Sequence, residues 1–272
     1  MIENGRWGQG PSLWTRLAVG MGAGAVMGLS LFMAGGSSQA AEGAAPADAA
    51  ERQAIEQIIH DYLLSHPAVL AEALANMDAF QREEAARDQT AAIAKLGDTL
   101  YRDPDSFTGG NPDGDITIVE FFDYQCGYCK RTVDNLLKTV EEDGNIRLIL
   151  KEFPILGPAS ITASEAAIAA LRLDRDRYLD FHTALLHSKG ALDKNRILQI
   201  AAESGLNTET LAAAMTDPSI QETINRSYDL AEKIGIHGTP AFIIHGELVV
   251  GELSEARLKQ KVAEARSGCV SC

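Results

Sequence analysis

The feature that most constrains the fold is a buried strand that leads directly into a pair of cysteines. Residues Ile116–Phe122 are nearly all apolar or β-branched, which is typical of a central strand covered on both faces, and Glu120 is the one charged residue among them. The sequence Cys126-Gly127-Tyr128-Cys129 follows at the turn into a helical pattern, and a second strand pattern occupies residues 146–150. A strand, a helix and a strand in this order predict a right-handed crossover unit with a parallel sheet, and therefore an α/β fold.

The rest of the domain predicts helices, then a hairpin, then one more helix. From about residue 159 to 234 the spacing of apolar residues is helical only, which predicts an all-helical insertion. Two short strands about the turn His245-Gly246 predict a hairpin, and Ser254 is placed to cap a final helix. Before the first strand, the glycine- and proline-rich residues 109–112 predict a loop.

Residues 41–97 predict a helical arm ahead of this domain. Pro67 suits the first turn of its second helix, and residues 81–92 are nearly all alanine and charge, so they have little to bury. Such a helix bridges two bodies or joins a thin coiled coil, so we expect a self-association surface; a helical subdomain folded back on the same chain is the alternative. The two apolar stripes are Ile55, Ile58, Ile59, Tyr62 and Leu70, Leu74, Met77.

The first forty residues have the features of an export signal. Arg6 and Arg16 precede an uncharged run at residues 17–33, and Ser38-Gln39-Ala40 offers small residues at alternate positions to a signal peptidase. We expect cleavage after residue 40 and a periplasmic protein. An uncleaved membrane anchor at residues 17–33 is the alternative, and it would deliver the remainder to the same side of the membrane.

The charge of the chain excludes nucleic acid as an expected partner. The chain has 24 Lys and Arg against 38 Asp and Glu, a net charge of -14, which repels phosphate backbones. Hydrophobic residues make up 46%, which is close to the globular average and argues against wholesale disorder.

The 4 cysteines form two tight pairs, Cys126/Cys129 and Cys269/Cys272. A bridge between the pairs is one interpretation, and a zinc ion held by all of them is another. The pairs are much further apart in the chain than the roughly 15 to 20 residues usual in a zinc ribbon. A bridge within either pair closes too small a loop to stabilise a domain much. Redox chemistry is therefore the leading interpretation of the first pair.

The position of the first pair predicts different roles for its two thiols. Cys126 is at the N-terminus of a helix, where unpaired N–H groups and the helix dipole favour a thiolate. Cys129 lies one turn further in, close enough to bridge Cys126 yet shielded by its helix. We expect Cys126 to attack a substrate disulfide and Cys129 to resolve the mixed disulfide.

The chain resembles the thioredoxin-like DsbA family of exported disulfide oxidoreductases over residues 98–267. The resemblance rests on the segment from Phe121 to Cys129, on the helical insertion and on Gly238-Thr239-Pro240. It implies a thioredoxin-like domain at residues 98–268 that works through a redox-active Cys126–Cys129 disulfide and needs no separate cofactor. It also implies that Pro240 is cis and faces the cysteines, and that substrate contacts the four residues Gly127, Tyr128, Thr239 and Pro240; a trans proline in an ordinary loop is the alternative.

Glu120 lies where the family has a buried acid beneath the active-site cysteines. A carboxyl group buried among apolar neighbours has a raised pKa and can relay the proton of Cys129. The alternative is an acid that points outward at the end of the strand.

Gly127-Tyr128 and Thr239 resemble ScsC-like and DsbC-like disulfide isomerases more than DsbA itself. The resemblance implies misdisulfided or unfolded exported proteins as substrates, a homo-oligomer, and a membrane partner that resets the cysteines. The tail pair Cys269-Val270-Ser271-Cys272 departs from these patterns; it can be an inert disulfide or hold Cu(I) through its thiolates. Among the 6 histidines, His237 is placed to touch substrate, and the others are expected at solvated or capping positions.

The sequence thus predicts an exported thiol-disulfide oxidoreductase, with isomerase as the preferred direction. A copper-binding protein that uses the cysteine thiolates is the alternative from another class. A membrane-tethered disulfide reductase is the third.

Overall fold

The computed structural model describes residues 48–268, which form ten helices and five strands. The helices are α1 (Ala49–Ser65), α2 (Pro67–Lys95), α3 (Gly97–Tyr101), α4 (Gly127–Asp143), α5 (Pro158–Leu173), α6 (Arg175–His187), α7 (Lys194–Glu203), α8 (Thr208–Ala214), α9 (Pro218–Ile234) and α10 (Glu255–Ser267). The strands are β1 (Phe107–Gly110), β2 (Ile116–Phe122), β3 (Ile146–Glu152), β4 (Ala241–Ile244) and β5 (Glu247–Val250).

The five strands make one mixed sheet in the order β1-β3-β2-β4-β5. Strands β2 and β3 are parallel and joined by α4, which confirms the predicted crossover unit, and the other neighbours are antiparallel. Every residue of β2 except Thr117 is buried, as its apolar sequence predicts. This is a thioredoxin-like fold, with β2 at the centre of the sheet.

The register of β2 and β4 determines where the site lies. Phe121 near the end of β2 is opposite Ala241 at the start of β4. Because the two strands are antiparallel, the segment before β4 comes to the same end of the sheet as the segment after β2. The predicted cysteine turn and the predicted proline loop therefore meet.

Strand β1 is a correction to the sequence prediction, which placed a loop at residues 109–112. Phe107–Gly110 pair antiparallel with β3 at the edge of the sheet. Gly110 has a φ of +68°, and a Cβ there would lie 2.3 Å from the Ile146 carbonyl oxygen. The glycines that suggested a loop are thus required by the close approach of an edge strand to its neighbour.

The core lies on both faces of the sheet. One face of β2 packs against α4 and against the helical insertion, which consists of α5 to α9 as predicted. On the other face, Val119 and Phe121 pack with residues of α9 such as Ile234. Lys151 of β3 is on this second face, 1% exposed in its side chain and 2.7 Å from the Asp103 carboxylate. The pairing with Asp103 compensates for the cost of burying the Lys151 ammonium group.

The predicted arm forms the two expected helices, and Pro67 begins the second. The chain divides into two compact units, and helix α1 lies in the first, which ends at Ser65. All residues of α1 are at least partly exposed. In the second unit, the end of α2 packs against the domain: Ile93 is buried and the Gln89 side chain donates to the Ile234 carbonyl oxygen at 3.0 Å. Residues of α2 that precede residue 98 therefore contribute to the packing of this unit. The exposed apolar residues of α2 include Leu70, Leu74 and Met77.

Within residues 48–268, no helix combines the length and apolar character needed to cross a bilayer. The predicted export signal at residues 1–40 and the tail cysteines Cys269 and Cys272 lie outside the described residues.

Candidate active site

Cys126 is the N-cap residue of α4, at the point where the chain leaves the centre of the sheet. Its carbonyl oxygen accepts the Lys130 N–H at 3.1 Å, and its own N–H donates to the Asp123 carbonyl oxygen at 3.0 Å. The side chain of Cys126 is thereby held where the unpaired N–H groups of the first helical turn point. Cys129 is fully buried one turn later.

The two thiols have opposite electrostatic environments. A hydrogen bond from Cys129 lowers the pKa of Cys126 to about 5, with help from the Thr239 side chain and from the N–H groups of Cys129 and Tyr128. Burial raises the pKa of Cys129, and the hydrogen bond with Cys126 raises it further. Cys126 is therefore the thiolate near neutral pH, and Cys129 holds its proton.

The loop before β4 faces Cys126. The Thr239–Pro240 peptide bond is cis, as the resemblance implies, and the Cys126 Sγ lies 3.1 Å from the Thr239 carbonyl oxygen. The Pro240 carbonyl oxygen accepts a hydrogen bond from the Gly251 N–H at 2.9 Å. The backbone edge at Thr239 thus lies directly beside the reactive sulfur.

Glu120 lies beneath the cysteines on the buried face of β2, between Leu150 and Phe242 of the neighbouring strands. Burial, with a smaller contribution from the charge of Cys126, raises its pKa to about 8. Its charge in turn raises the pKa of Cys129. Glu120 is therefore neutral when Cys126 is a thiolate. Its carboxyl group also interacts electrostatically with the buried thiol of Cys129.

Asp123 is a site residue that sequence reasoning missed. It is fully buried, and its carboxylate accepts the N–H of Gln125 at 2.7 Å, the N–H of Leu156 at 2.9 Å and the Ser160 hydroxyl at 2.7 Å. The loop before Cys126 is thus joined to the start of α5. Its position three residues before the N-cap Cys126 was the available signal, since Asp just before a helix often accepts local backbone N–H groups.

His182 corrects the expectation of a solvated or capping histidine. It is buried in α6, and burial lowers its pKa to about 3, so the ring is neutral. Its Nδ1 lies 3.0 Å from the Tyr124 hydroxyl, which donates to the Glu152 carboxylate at 3.1 Å. Burial also raises the pKa of Glu152 to about 8, although Ser164 donates to it at 2.7 Å. These contacts join the segment before Cys126 to the helical insertion.

The remaining predicted residues are at the surface of the site. Gly127 and Tyr128 are exposed between the two cysteines, and His237 is exposed near the proline loop. In the described part of the chain, no group of three or more His, Cys, Asp or Glu side chains is placed to hold a metal ion.

Comparison with known proteins agrees with this geometry. A family model for the DSBA-like thioredoxin domain matches residues 117–263. The chain belongs to the DsbA-like thioredoxin family. A second model, for the copper resistance protein ScsC N-terminal domain, matches residues 51–87, which lie in α1 and α2.

Two solved structures of DsbA-like proteins illustrate the similarity. A thioredoxin-like oxidoreductase from Silicibacter pomeroyi is 41% identical, with 62% of this chain and 97% of that chain covered and a TM-score of 0.59. A linker-deletion mutant of ScsC from Proteus mirabilis is 30% identical, with 83% of this chain and 100% of that chain covered and a TM-score of 0.63. The second match includes the N-terminal helices.

More than half of the chain is also similar to part of some larger proteins. A Na(+)/H(+) antiporter NhaA from Herminiimonas arsenicoxydans is 32% identical over 161 residues, which are 57% of this chain and 25% of the antiporter. This chain thus spans about a quarter of the length of the antiporters that it matches.

Proposed function

We propose that the chain is a thiol-disulfide oxidoreductase that acts on protein disulfides, with isomerisation as its preferred direction. One observation carries the proposal: a low-pKa thiol at a helix N-terminus and a buried high-pKa thiol one turn later face the cis Thr239–Pro240 bond. A purely structural cysteine pair requires neither this difference in pKa between its thiols nor a free backbone edge beside the reactive sulfur.

The reaction begins at Cys126. Its thiolate attacks one sulfur of a substrate disulfide, forms a mixed disulfide and releases the other substrate sulfur as a thiolate. In isomerisation, a different thiolate of the substrate attacks the substrate sulfur of the mixed disulfide and displaces Cys126, so no net oxidation occurs. In reduction, the Cys129 thiolate attacks the Cys126 sulfur, the substrate leaves with two thiols, and the enzyme keeps the disulfide.

In the reduction route, in which Cys129 attacks the Cys126 sulfur, Glu120 accepts the proton of Cys129. Once Cys126 is in a mixed disulfide its negative charge is gone, and that charge is one of the causes that hold the pKa of Glu120 high. The carboxylate becomes easier to form at the moment when Cys129 must lose its proton. Glu120 is thus a base for resolution and not for the first attack.

The substrate lies against the Thr239–Pro240 loop as an extended segment. The carbonyl oxygen of Thr239 is exposed to the reactive sulfur rather than used within the sheet, so it is an acceptor for a substrate N–H. Gly127 and Tyr128 form the opposite side of the contact.

The arm favours isomerisation because it offers a surface for self-association. Ile58 is 68% exposed and Leu74 is 57% exposed, and helices with such stripes are stabilised by a partner. Several tethered sites keep a misfolded substrate at high effective concentration while Cys126 attacks repeatedly. The residues that carry these stripes lie within the segment that matches the ScsC N-terminal domain, residues 51–87.

We also propose that residues 1–40 export the protein to the periplasm, where a membrane partner restores the redox state of the cysteines. The substrates are unfolded or misdisulfided exported proteins. In the alternative, residues 17–33 stay uncleaved as an anchor and the protein is a membrane-tethered reductase. The mass of the exported protein separates the two cases, because only the tethered form keeps residues 1–40.

Copper binding is the second candidate function, and the name of the matching N-terminal domain favours it. Thiolates are good ligands for Cu(I), and the tail residues Cys269 and Cys272 add two more to the chain. Titration of the reduced protein with Cu(I) tests it: a stoichiometric complex that survives loss of Cys126 and Cys129 supports a copper role for the tail.

The deciding experiment is refolding of a protein with scrambled disulfides by the mature chain, with the solution mass measured in parallel. We expect recovery of the native disulfides and a mass of more than one chain. The Cys126→Ser variant is the control, and it must be inactive. Recovery that persists in this variant contradicts the proposal.

A further inference from the structure

Tyr128 is a large aromatic side chain held at the mouth of the site. It lies between the two cysteines and 56% of its surface is exposed. The Arg131 guanidinium carbon lies 4.6 Å from the ring centroid, which is the geometry of a cation–π contact. One face of the ring is therefore covered, and the exposed surface lies on the other.

Arg131 is itself fixed by Glu252. The Glu252 carboxylate accepts from Arg131 Nε at 3.0 and 3.1 Å and from Nη2 at 2.8 Å. Such a two-atom contact holds the plane of the guanidinium as well as its position. Because this charge is already paired, Arg131 is suited to orient Tyr128 rather than to bind an acidic substrate.

Glu252 connects the contact to the proline loop. The preceding residue Gly251 donates its N–H to the Pro240 carbonyl oxygen at 2.9 Å. Contacts thus run from Tyr128 through Arg131 to Glu252, and through the adjacent Gly251 to Pro240. The same loop lies against Cys126 through Thr239.

We propose that Arg131 and Glu252 form a clamp that orients Tyr128 as the specificity-determining residue for an apolar side chain next to the target cysteine of the substrate. The proposal rests on the thiol-disulfide exchange proposed above. The open face of a fixed aromatic ring is a good contact for leucine or an aromatic residue, and fixing the ring in advance lowers the entropy cost of binding. Arg131 is a positioning residue in this scheme.

The test uses the full mature chain and two disulfide peptides of equal length and charge, with Leu or Gly next to the target cysteine. Arg131→Met should raise KM for the Leu peptide about two- to fivefold, the effect of losing 0.5–1 kcal/mol of cation–π contact. The change for the Gly peptide should be smaller. Because the Arg131 charge also acts on Cys126, the Cys126 thiolate titration is measured separately, and any shift in it affects both peptides alike. Lys138→Met is the matched control, because Lys138 also joins α4 to the chain after β5, through Glu255 at 2.8 Å, but does not contact Tyr128.

A double-mutant comparison separates the clamp from general damage. Glu252→Gln should weaken discrimination between the peptides, and Tyr128→Ala combined with Arg131→Met should be no worse than Tyr128→Ala alone. Equal losses for both peptides, or additive losses, would overturn the proposal.

The same peptides with serine in place of the target cysteine test the clamp without chemistry. Calorimetric binding should be tighter for the Leu peptide, and Arg131→Met should remove the difference. This result would stand even if neither disulfide peptide were exchanged, an outcome that would contradict the proposed function alone. Equal binding of the two serine peptides by the unmodified protein would contradict the clamp.

Discussion

The Cys126 Sγ lies 3.1 Å from the Thr239 carbonyl oxygen, although 113 positions separate the two residues in the chain. The thiol form of Cys126 donates to this oxygen, whereas the thiolate accepts from the surrounding donors and leaves the oxygen available. Ionisation of the nucleophile therefore frees this oxygen. In the function proposed above, the same oxygen is the acceptor for the substrate segment, so attack and substrate binding are coupled through one atom.

The first prediction concerns the nucleophile. Thiolate absorbance of the reduced protein should rise with a midpoint near pH 5, because hydrogen bonds from Cys129, Thr239 and the helix N-terminus stabilise the charge of Cys126. In Cys129→Ala the mixed disulfide should persist on Cys126, as mapped by peptide mass. A midpoint near 8.5, the value of a free thiol, or an adduct on Cys269 would contradict the assignment.

The second prediction is that Glu120→Gln slows resolution more than attack. The variant keeps the shape of the side chain but cannot accept the proton of Cys129, so the mixed disulfide should accumulate in rapid-quench experiments at neutral pH. Formation of that intermediate should be nearly unchanged. Equal slowing of both steps would indicate a structural role.

The third prediction follows from the same buried acid and concerns stability. Burial raises the pKa of Glu120 to about 8, so between about pH 5 and pH 8 the folded protein keeps a proton that the unfolded chain has lost. Stability from this group is present at low pH and is lost as pH rises, by about 1.4 kcal/mol per pH unit. Urea unfolding should therefore show Glu120→Gln gaining stability relative to the unmodified protein across this window. Parallel curves would mean that the carboxylate is already ionised.

The fourth prediction is that residues 269–272 are dispensable for exchange. Arg266, near the end of α10, contacts Asp143 at the end of α4, at the opposite end of that helix from Cys126. Helix α10 ends at Ser267, with Gly268 as its C-cap, so deletion of residues 269–272 removes no packed residue of the described fold. Deletion should leave peptide exchange within error of the full chain, and a large loss would assign the tail cysteines a part in the exchange.

The fifth prediction tests the arm in the intact chain. Ile58→Asp together with Leu74→Asp places charge on both exposed stripes, so sedimentation should show a monomer. Exchange with small peptides should remain, and rescue of a scrambled protein should fall severalfold because the effective concentration of sites is lost. Glu56→Gln, on an exposed position of α1, is the control. Unchanged rescue by a monomer would assign the arm another purpose.

The elements whose pattern is local could be predicted from the sequence. The apolar run of β2, the cap at Ser254 and Pro67 at a helix start each carry their signal within a few residues, and the structure has all three. The cis Thr239–Pro240 bond was predicted only by resemblance, because nothing in the neighbouring residues specifies it.

The features that were missed depend on contacts between distant segments. His182 is buried because Tyr124 and Glu152 come from two other elements and complete its surroundings. Ile93 follows a stretch of alanine and charged residues, and only neighbours from other elements, α9 among them, make it a core residue. Such partners are separated by tens of positions, so hydrophobic periodicity within one segment does not reveal them.

The opposite pKa shifts of Cys126 and Cys129 also determine how many protons the disulfide takes up when two electrons reduce it. Near neutral pH the reduced pair holds one proton, on Cys129, because Cys126 is already a thiolate. Two electrons taken up with one proton give a reduction potential that falls by about 30 mV per pH unit, half the slope of an ordinary dithiol. A tenfold change in proton concentration therefore alters the oxidising strength of this pair by one factor of ten rather than two.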